Sequence, residues 1–193
     1  MRAKRIRLSL PTLLLATFVL LTDRTGIGAL TLLSAFLHEC GHLAAARGMG
    51  LTPREVRLDL LGARMEISGR VLSYGEEFLL AAAGPLTSLL LSLAAVPLWR
   101  YGAARSFSAV SLLLGLLNLL PIRTFDGGRM LEVTLAAGIG TVWASRALRL
   151  CSFCSLLLLW LVAVYLLLRA ADGLSLLCFS LSLFFRFFDG ERF

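Results

Sequence analysis

The chain has 193 residues, enough for one domain, taken as 1–193. Hydrophobic residues make up 58% and charged residues 16%, which excludes an ordinary soluble domain and points to a multi-span membrane protein. The net charge of +7 does not signal a nucleic-acid partner, because the arginines sit between apolar runs and no basic run is interleaved with aromatics.

Residues 1–7 carry Arg2, Lys4, Arg5 and Arg7 and lead into an apolar run from Leu8 to Leu21. The start resembles a signal peptide, but no small-residue cleavage site follows, so the run reads as a first, short span with Pro11 near its entrance. The second run, Gly26 to Ala46, contains His38-Glu39-Cys40-Gly41-His42, an H-E-x-x-H motif. On a helix, positions i and i+4 share a face, so His38 and His42 can grip one metal ion. Neutral imidazole is a good zinc ligand, and Glu39 is placed to take a proton from water activated by that ion. The chain has only two histidines, and both are here. The bland alternative is a pair of core histidines satisfied by backbone carbonyls, but an ionisable Glu beside them inside a span then has no purpose.

Residues 47–77 are polar and rich in arginine. Val56, Leu58 and Leu60 alternate with Arg57 and Asp59, and Met65 and Ile67 alternate with Arg64 and Glu66, with Gly62 between the halves. This period of two around a turn predicts a β-hairpin rather than a plain loop. The third run, Phe78 to Trp99, is long enough to span and contains Ala83-Gly84-Pro85. Small residues let membrane helices approach closely, and Pro85 kinks or breaks the helix locally. The fourth run, Phe107 to Ile122, ends in Asn118-Leu119-Leu120-Pro121 and runs at once into Phe125-Asp126-Gly127-Gly128, which turns the backbone. Residues 129–146 are mixed in character and read as a helix at the membrane surface. Two further runs, Leu150 to Leu168 and Leu174 to Phe188, complete six spans. The reading is therefore an all-α polytopic membrane protein with about six transmembrane helices and a small membrane-associated β-hairpin after the second. Cys40, Cys151, Cys154 and Cys178 all lie in apolar segments and form no disulfide framework; Cys151-x-x-Cys154 alone is a weak redox or metal signal.

Residues 1–7, 47–77, 123–149 and the C-terminal end hold fifteen of the nineteen Lys and Arg, so both termini are expected in the cytoplasm. The second span then runs outside to inside, which puts the histidines and Asp126 at similar depth. Catalytic zinc usually takes three protein ligands and keeps one open position. Asp126 is the best third candidate on depth and on its glycine-flanked setting; Asp59 and Glu66 look solvated, and Glu132 is the fallback. Asn118 is placed either to hydrogen-bond substrate or oxyanion, or to bond a neighbouring helix. A peptide must be extended to be cut, and in a membrane its backbone then needs partners, which an edge strand of the 56–67 hairpin would supply by strand addition.

At these residues the chain resembles the site-2 protease family of intramembrane zinc metalloproteases, and within it the stage IV sporulation protein FB group. Three stretches carry the resemblance: His38 to His42; Ala83-Gly84-Pro85 with Ser88 where the family has Asn; and Asn118 to Gly127, with Arg123 for a second Pro and Phe125 for Leu. They run from residue 38 to 127, about half the chain. The resemblance implies His38, His42 and Asp126 as ligands of one Zn2+, Glu39 as the catalytic acid/base, and Gly84, Pro85 and Asn118 near the substrate. It also implies a six-span layout in the lipid bilayer of a bacterial cell membrane. A membrane-tethered protein such as a precursor transcription factor would be the substrate, with a membrane-protein inhibitor or regulator as a further partner. The Ser88 and Arg123 departures bear on substrate positioning rather than on the metal. Group members often carry a C-terminal nucleotide-sensing domain, and none is expected in a chain whose sequence runs to Phe193. The competing readings are a non-catalytic zinc-binding transporter or scaffold, and another membrane zincin with a downstream Glu as ligand. A transporter would spread polar residues along several spans, whereas here they cluster at one depth.

Overall fold

The computed structural model describes residues 5–8, 10–59, 62–68, 71–170 and 174–189; in the strands it describes the backbone only. Seven α-helices and three strands occur among the described residues. Strand β1 is Arg5–Leu8, β2 is Thr52–Asp59 and β3 is Gly62–Ser68. Helix α1 is Leu10–Thr22, α2 Ile27–Gly48, α3 Tyr74–Ala95, α4 Gly102–Asn118, α5 Asp126–Ile139, α6 Thr141–Ala170 and α7 Leu174–Asp189.

Strands β2 and β3 pair antiparallel with Val56 opposite Met65 and Leu58 opposite Ala63, the stretch in which alternation marks a hairpin. Residues 60–61, and the side chains of Asp59 and Glu66, lie outside the described part. The first strand is a finding that the sequence reading lacks. Arg5–Leu8 pairs parallel with β2, Ile6 opposite Val56, so the basic start is a sheet edge and the apolar helix begins only at Leu10.

Among the described residues, three helical stretches are long and apolar enough to cross a bilayer: Ile27–Gly48, Tyr74–Leu98 and Thr141–Arg169. Helices α1, α4 and α7 have 13, 17 and 16 residues and reach only ~20–26 Å at about 1.5 Å per residue, short of a hydrocarbon layer of about 30 Å. The expected surface helix at 129–146 is two elements. Gly140, at φ 82°, breaks it, α5 ends at Ile139, and the rest joins the 30-residue α6. On α6 the Arg146 guanidinium lies 5.0 Å over Trp143 and Arg169 lies 5.7 Å over Tyr165. Trp143 and Tyr165 are about 33 Å apart along a helix at about 1.5 Å per residue, close to the thickness of a hydrocarbon layer.

The chain forms two compact units, 1–119 and 120–193. In the first, α2, α3 and α4 pack mutually. Helix α2 is started by Asp23, whose carboxylate accepts from the backbone N–H groups of Ala29, Thr25 and Gly26 at 2.9–3.0 Å. The bond from Ala29, with those from Thr25 and Gly26, holds its pKa below the ordinary carboxylate value. Helix α3 opens with a capping box: Ser73 Oγ accepts from Glu76 N–H at 3.3 Å and Glu76 Oε2 from Ser73 N–H at 3.0 Å. Buried hydroxyl pairs join the helices, Ser34 to Ser111 at 2.9 Å between α2 and α4, and Ser92 to Ser108 at 3.1 Å between α3 and α4. In the second unit, α6 packs against both α5 and α7 and buries Ala144, Leu148, Ser152, Leu156 and Ala163.

Candidate metal centre

His38 and His42 lie one turn apart on α2, as their spacing demands, with ring centroids 5.0 Å apart. His38 is 4% exposed and its Nε2 lies 3.3 Å from His42 Nε2. Each Nδ1 is engaged on the far side of its ring. His42 Nδ1 lies 2.8 Å from the Leu80 carbonyl oxygen. A carbonyl only accepts, so this Nδ1 carries the proton and the Nε2 lone pair of the neutral ring points towards His38. His38 Nδ1 lies 2.9 Å from Ser88 Oγ. Two imidazole nitrogens thus converge on one point with their other nitrogens tied down, the arrangement that metal-binding histidines show.

Gly84 on α3 is what lets them do so. A Cβ there would run into His42 Nε2 and lie within 3 Å of His38 Nε2 and His42 Cε1. One turn away, a Cβ on Gly41 would meet Thr87 Oγ1 and sit 2.9 Å from the Ala83 carbonyl oxygen. The α2 and α3 backbones therefore touch at two glycines, one contributed by each helix. Pro85, also buried, has no N–H, so the Ala81 carbonyl one turn back lacks its usual helical donor. The space that a Gly84 Cβ would fill lies against both ring nitrogens, which fits a bound ion; zinc suits two neutral imidazoles. Glu39, half-buried, follows His38 directly on α2.

In the second unit, Asp126 is the first residue of α5, and Phe125 is its N-cap. Asp126 is half-buried in the first turn rather than capping a helix that starts at Gly127 or Gly128. A carboxylate there is favoured by the helix dipole. The approach to it is held by α6: Ser152 Oγ accepts from Arg123 N–H at 3.0 Å and donates to the Pro121 carbonyl at 3.1 Å. A Cβ on Gly128 would strike the Ile122 carbonyl oxygen, so the turn before Asp126 requires that glycine. Asn118 ends α4, and its side-chain amide donates to the Leu114 carbonyl of its own helix at 3.0 Å, a third course beside the two expected of it. Cys151 and Cys154 flank Ser152; Cys154 is exposed, and the hydroxyl between them carries the contact to the 121–123 turn. Leu80, Ser88 and Ser152 have no motif of their own in the sequence; only the Ser88 departure from the family pattern pointed to one of them.

The Peptidase M50B-like family profile matches residues 11–184. The chain belongs to the Peptidase M50B-like family. Among similar proteins, Rip3 of Mycobacterium tuberculosis, assigned as a zinc metalloprotease in strains Erdman and H37Rv, is 37% identical in a 143-residue match that covers 64% of this chain and 36% of Rip3. The chain thus spans about a third of the length of those relatives. The site-2 protease of Methanocaldococcus jannaschii has the same fold, with a TM-score of 0.66 over 98% of this chain and 92% of that one, at 20% identity. Membership in this peptidase family agrees with the donors that converge on α2.

Proposed function

We propose that this chain is an intramembrane zinc metalloendopeptidase that cuts membrane-tethered protein substrates. The observation that carries the reading is the convergence of His38 and His42 Nε2 beside Gly84, with the half-buried Glu39 next in sequence on α2. Asp126 completes the proposed donor set, since a catalytic zinc takes three protein ligands and the chain has no third histidine. Bound zinc supplies a Lewis acid for the scissile carbonyl and lowers the pKa of water towards neutrality. The residues do the rest. Glu39 would take a proton from the attacking water as the C–O bond forms and pass it to the amine as the peptide C–N bond then breaks. His42 stays in one tautomer through its bond to Leu80.

The proposal extends to six membrane crossings, with α1, α4 and α7 as shorter spans, and to cytoplasmic termini, on the charge distribution. The sheet order β1-β2-β3 puts β2 in the middle, so the substrate strand adds to β3 or β1 rather than to β2. A membrane-protein regulator and a sporulation-type transcription-factor substrate rest on motif resemblance alone.

Glu39→Gln tests the chemistry. The amide matches the carboxylate in size but accepts no proton, so zinc should stay and cleavage of a co-expressed tethered substrate should fall by ~10²–10⁴-fold. Wild-type cleavage by Glu39→Gln would remove the proteolytic mechanism. Asp126→Asn tests the third ligand, because an amide is a poor neutral donor: zinc per molecule and activity should both drop. Full zinc and full activity would move the search to Glu132.

A further inference from the structure

Ser88 stands where the family motif has Asn, a position associated with substrate. The structure gives it other work, and we infer that Ser88 is a positioning residue for His38, holding the ring so that Nε2 faces the ion. This rests on the zinc reading above.

Three observations carry it. Ser88 is 0% exposed, so it offers no surface to a substrate chain. Its Oγ lies 2.9 Å from His38 Nδ1, across 50 residues of sequence and between two helices. The space around it is cut for a small side chain: a Cβ on Gly115 of α4 would lie 3.2 Å from Ser88 Cβ and from Leu89, so α4 closes directly over residue 88.

The two histidines are held differently. The Leu80 carbonyl can only accept, so it fixes His42 in one tautomer whether or not metal is present. A hydroxyl can donate or accept. With metal, His38 Nδ1–H donates to Ser88 Oγ and Nε2 carries the lone pair. Without it, His38 Nε2–H can donate to His42 Nε2, 3.3 Å away, while the Ser88 hydroxyl donates to Nδ1. Ser88 thus keeps His38 in place in both states, donating to Nδ1 in the metal-free tautomer and accepting from Nδ1–H in the ligating one.

The experiment uses the full chain, purified in detergent, with zinc alone as probe. Competition with a chelator gives the zinc Kd, and ring 15N shifts of the chain's two histidines give the tautomers. Loss of such a partner typically costs 10–100-fold in metal affinity, so Ser88→Ala should weaken zinc by about that much. The zinc-free His38 signals should also move to a tautomer mixture while those of His42 stay. Ser92→Ala, another buried serine of α3 that bonds Ser108 instead of a histidine, should leave both readouts unchanged. If Ser88→Ala folds poorly, Ser88→Cys keeps the volume with a weak acceptor and should give a partial loss in the same direction. Wild-type zinc affinity and tautomers in these Ser88 variants would overturn the inference alone. So would an equal loss in Ser92→Ala, which would make the effect one of packing. A wild-type chain that binds no zinc would instead bring down the metal reading, and this inference with it.

Discussion

Helices α3 and α6 are both long, apolar and able to cross a bilayer, yet they are built in opposite ways. The inward face of α3 is made of Ala81, Ala82, Gly84, Pro85, Ser88, Ser92 and Ala95, with Leu80 buried beside them, and Leu79, Leu86, Leu90 and Leu93 are turned outward. The middle of α6 shows large side chains to the outside, with Leu158 63% and Tyr165 58% exposed, while Ser152, Leu156 and Ala163 are buried. In water, polarity separates inside from outside. Against lipid the tails are as apolar as leucine, so side-chain size does the sorting, and the small face is where helices meet and chemistry is placed.

Substitutions on the two helices can break or sharpen that comparison. The largest effect is expected at Gly84. Gly84→Ala puts a methyl group against both ring nitrogens, so purified protein should hold less than about a tenth of the wild-type zinc, consistent with loss of ligand geometry. Normal zinc content there would mean that the small face of α3 is not what shapes the centre. A smaller effect follows from Ser34→Ala, which leaves the buried Ser111 hydroxyl without its partner on α2. It should lower stability in a detergent-denaturation titration by about 1 kcal/mol with zinc affinity unchanged. The smallest effect is on α6: Leu158→Ala should shift the same titration by less than about 0.5 kcal/mol. If Leu158→Ala costs as much as Ser34→Ala, Leu158 packs on protein rather than lipid and the comparison fails.

The parts legible in the sequence were those whose signal is local. H-E-x-x-H needs only one helical turn to bring His38 and His42 together, and alternation over residues 56–67 needs only the neighbouring strand. The apolar runs showed where helices lie but not where they begin. The strand at Arg5–Leu8 was hidden because its partner is 50 residues away and its own four residues read as the basic flank of a span. The break at Gly140 was hidden because one glycine in a mixed stretch fits a helix interior as well as its end, and only a left-handed φ decides. Ser88 and Ser152 were beyond reach for another reason. A serine in an apolar run carries no periodicity, and what matters is which distant group its hydroxyl meets: His38 in one case, Arg123 N–H and the Pro121 carbonyl in the other.

The contact of α2 with α3 through Gly41 and Gly84 also restricts traffic. Screwing α3 along α2 by one residue, a rise of about 1.5 Å with a turn of about 100°, would bring Ala83 or Pro85 to the place of Gly84, and either side chain would then collide with the imidazoles. The seam between these helices is thus locked against that register shift. Under the proposed function, a peptide segment would have to reach the histidine pair by a side other than this seam.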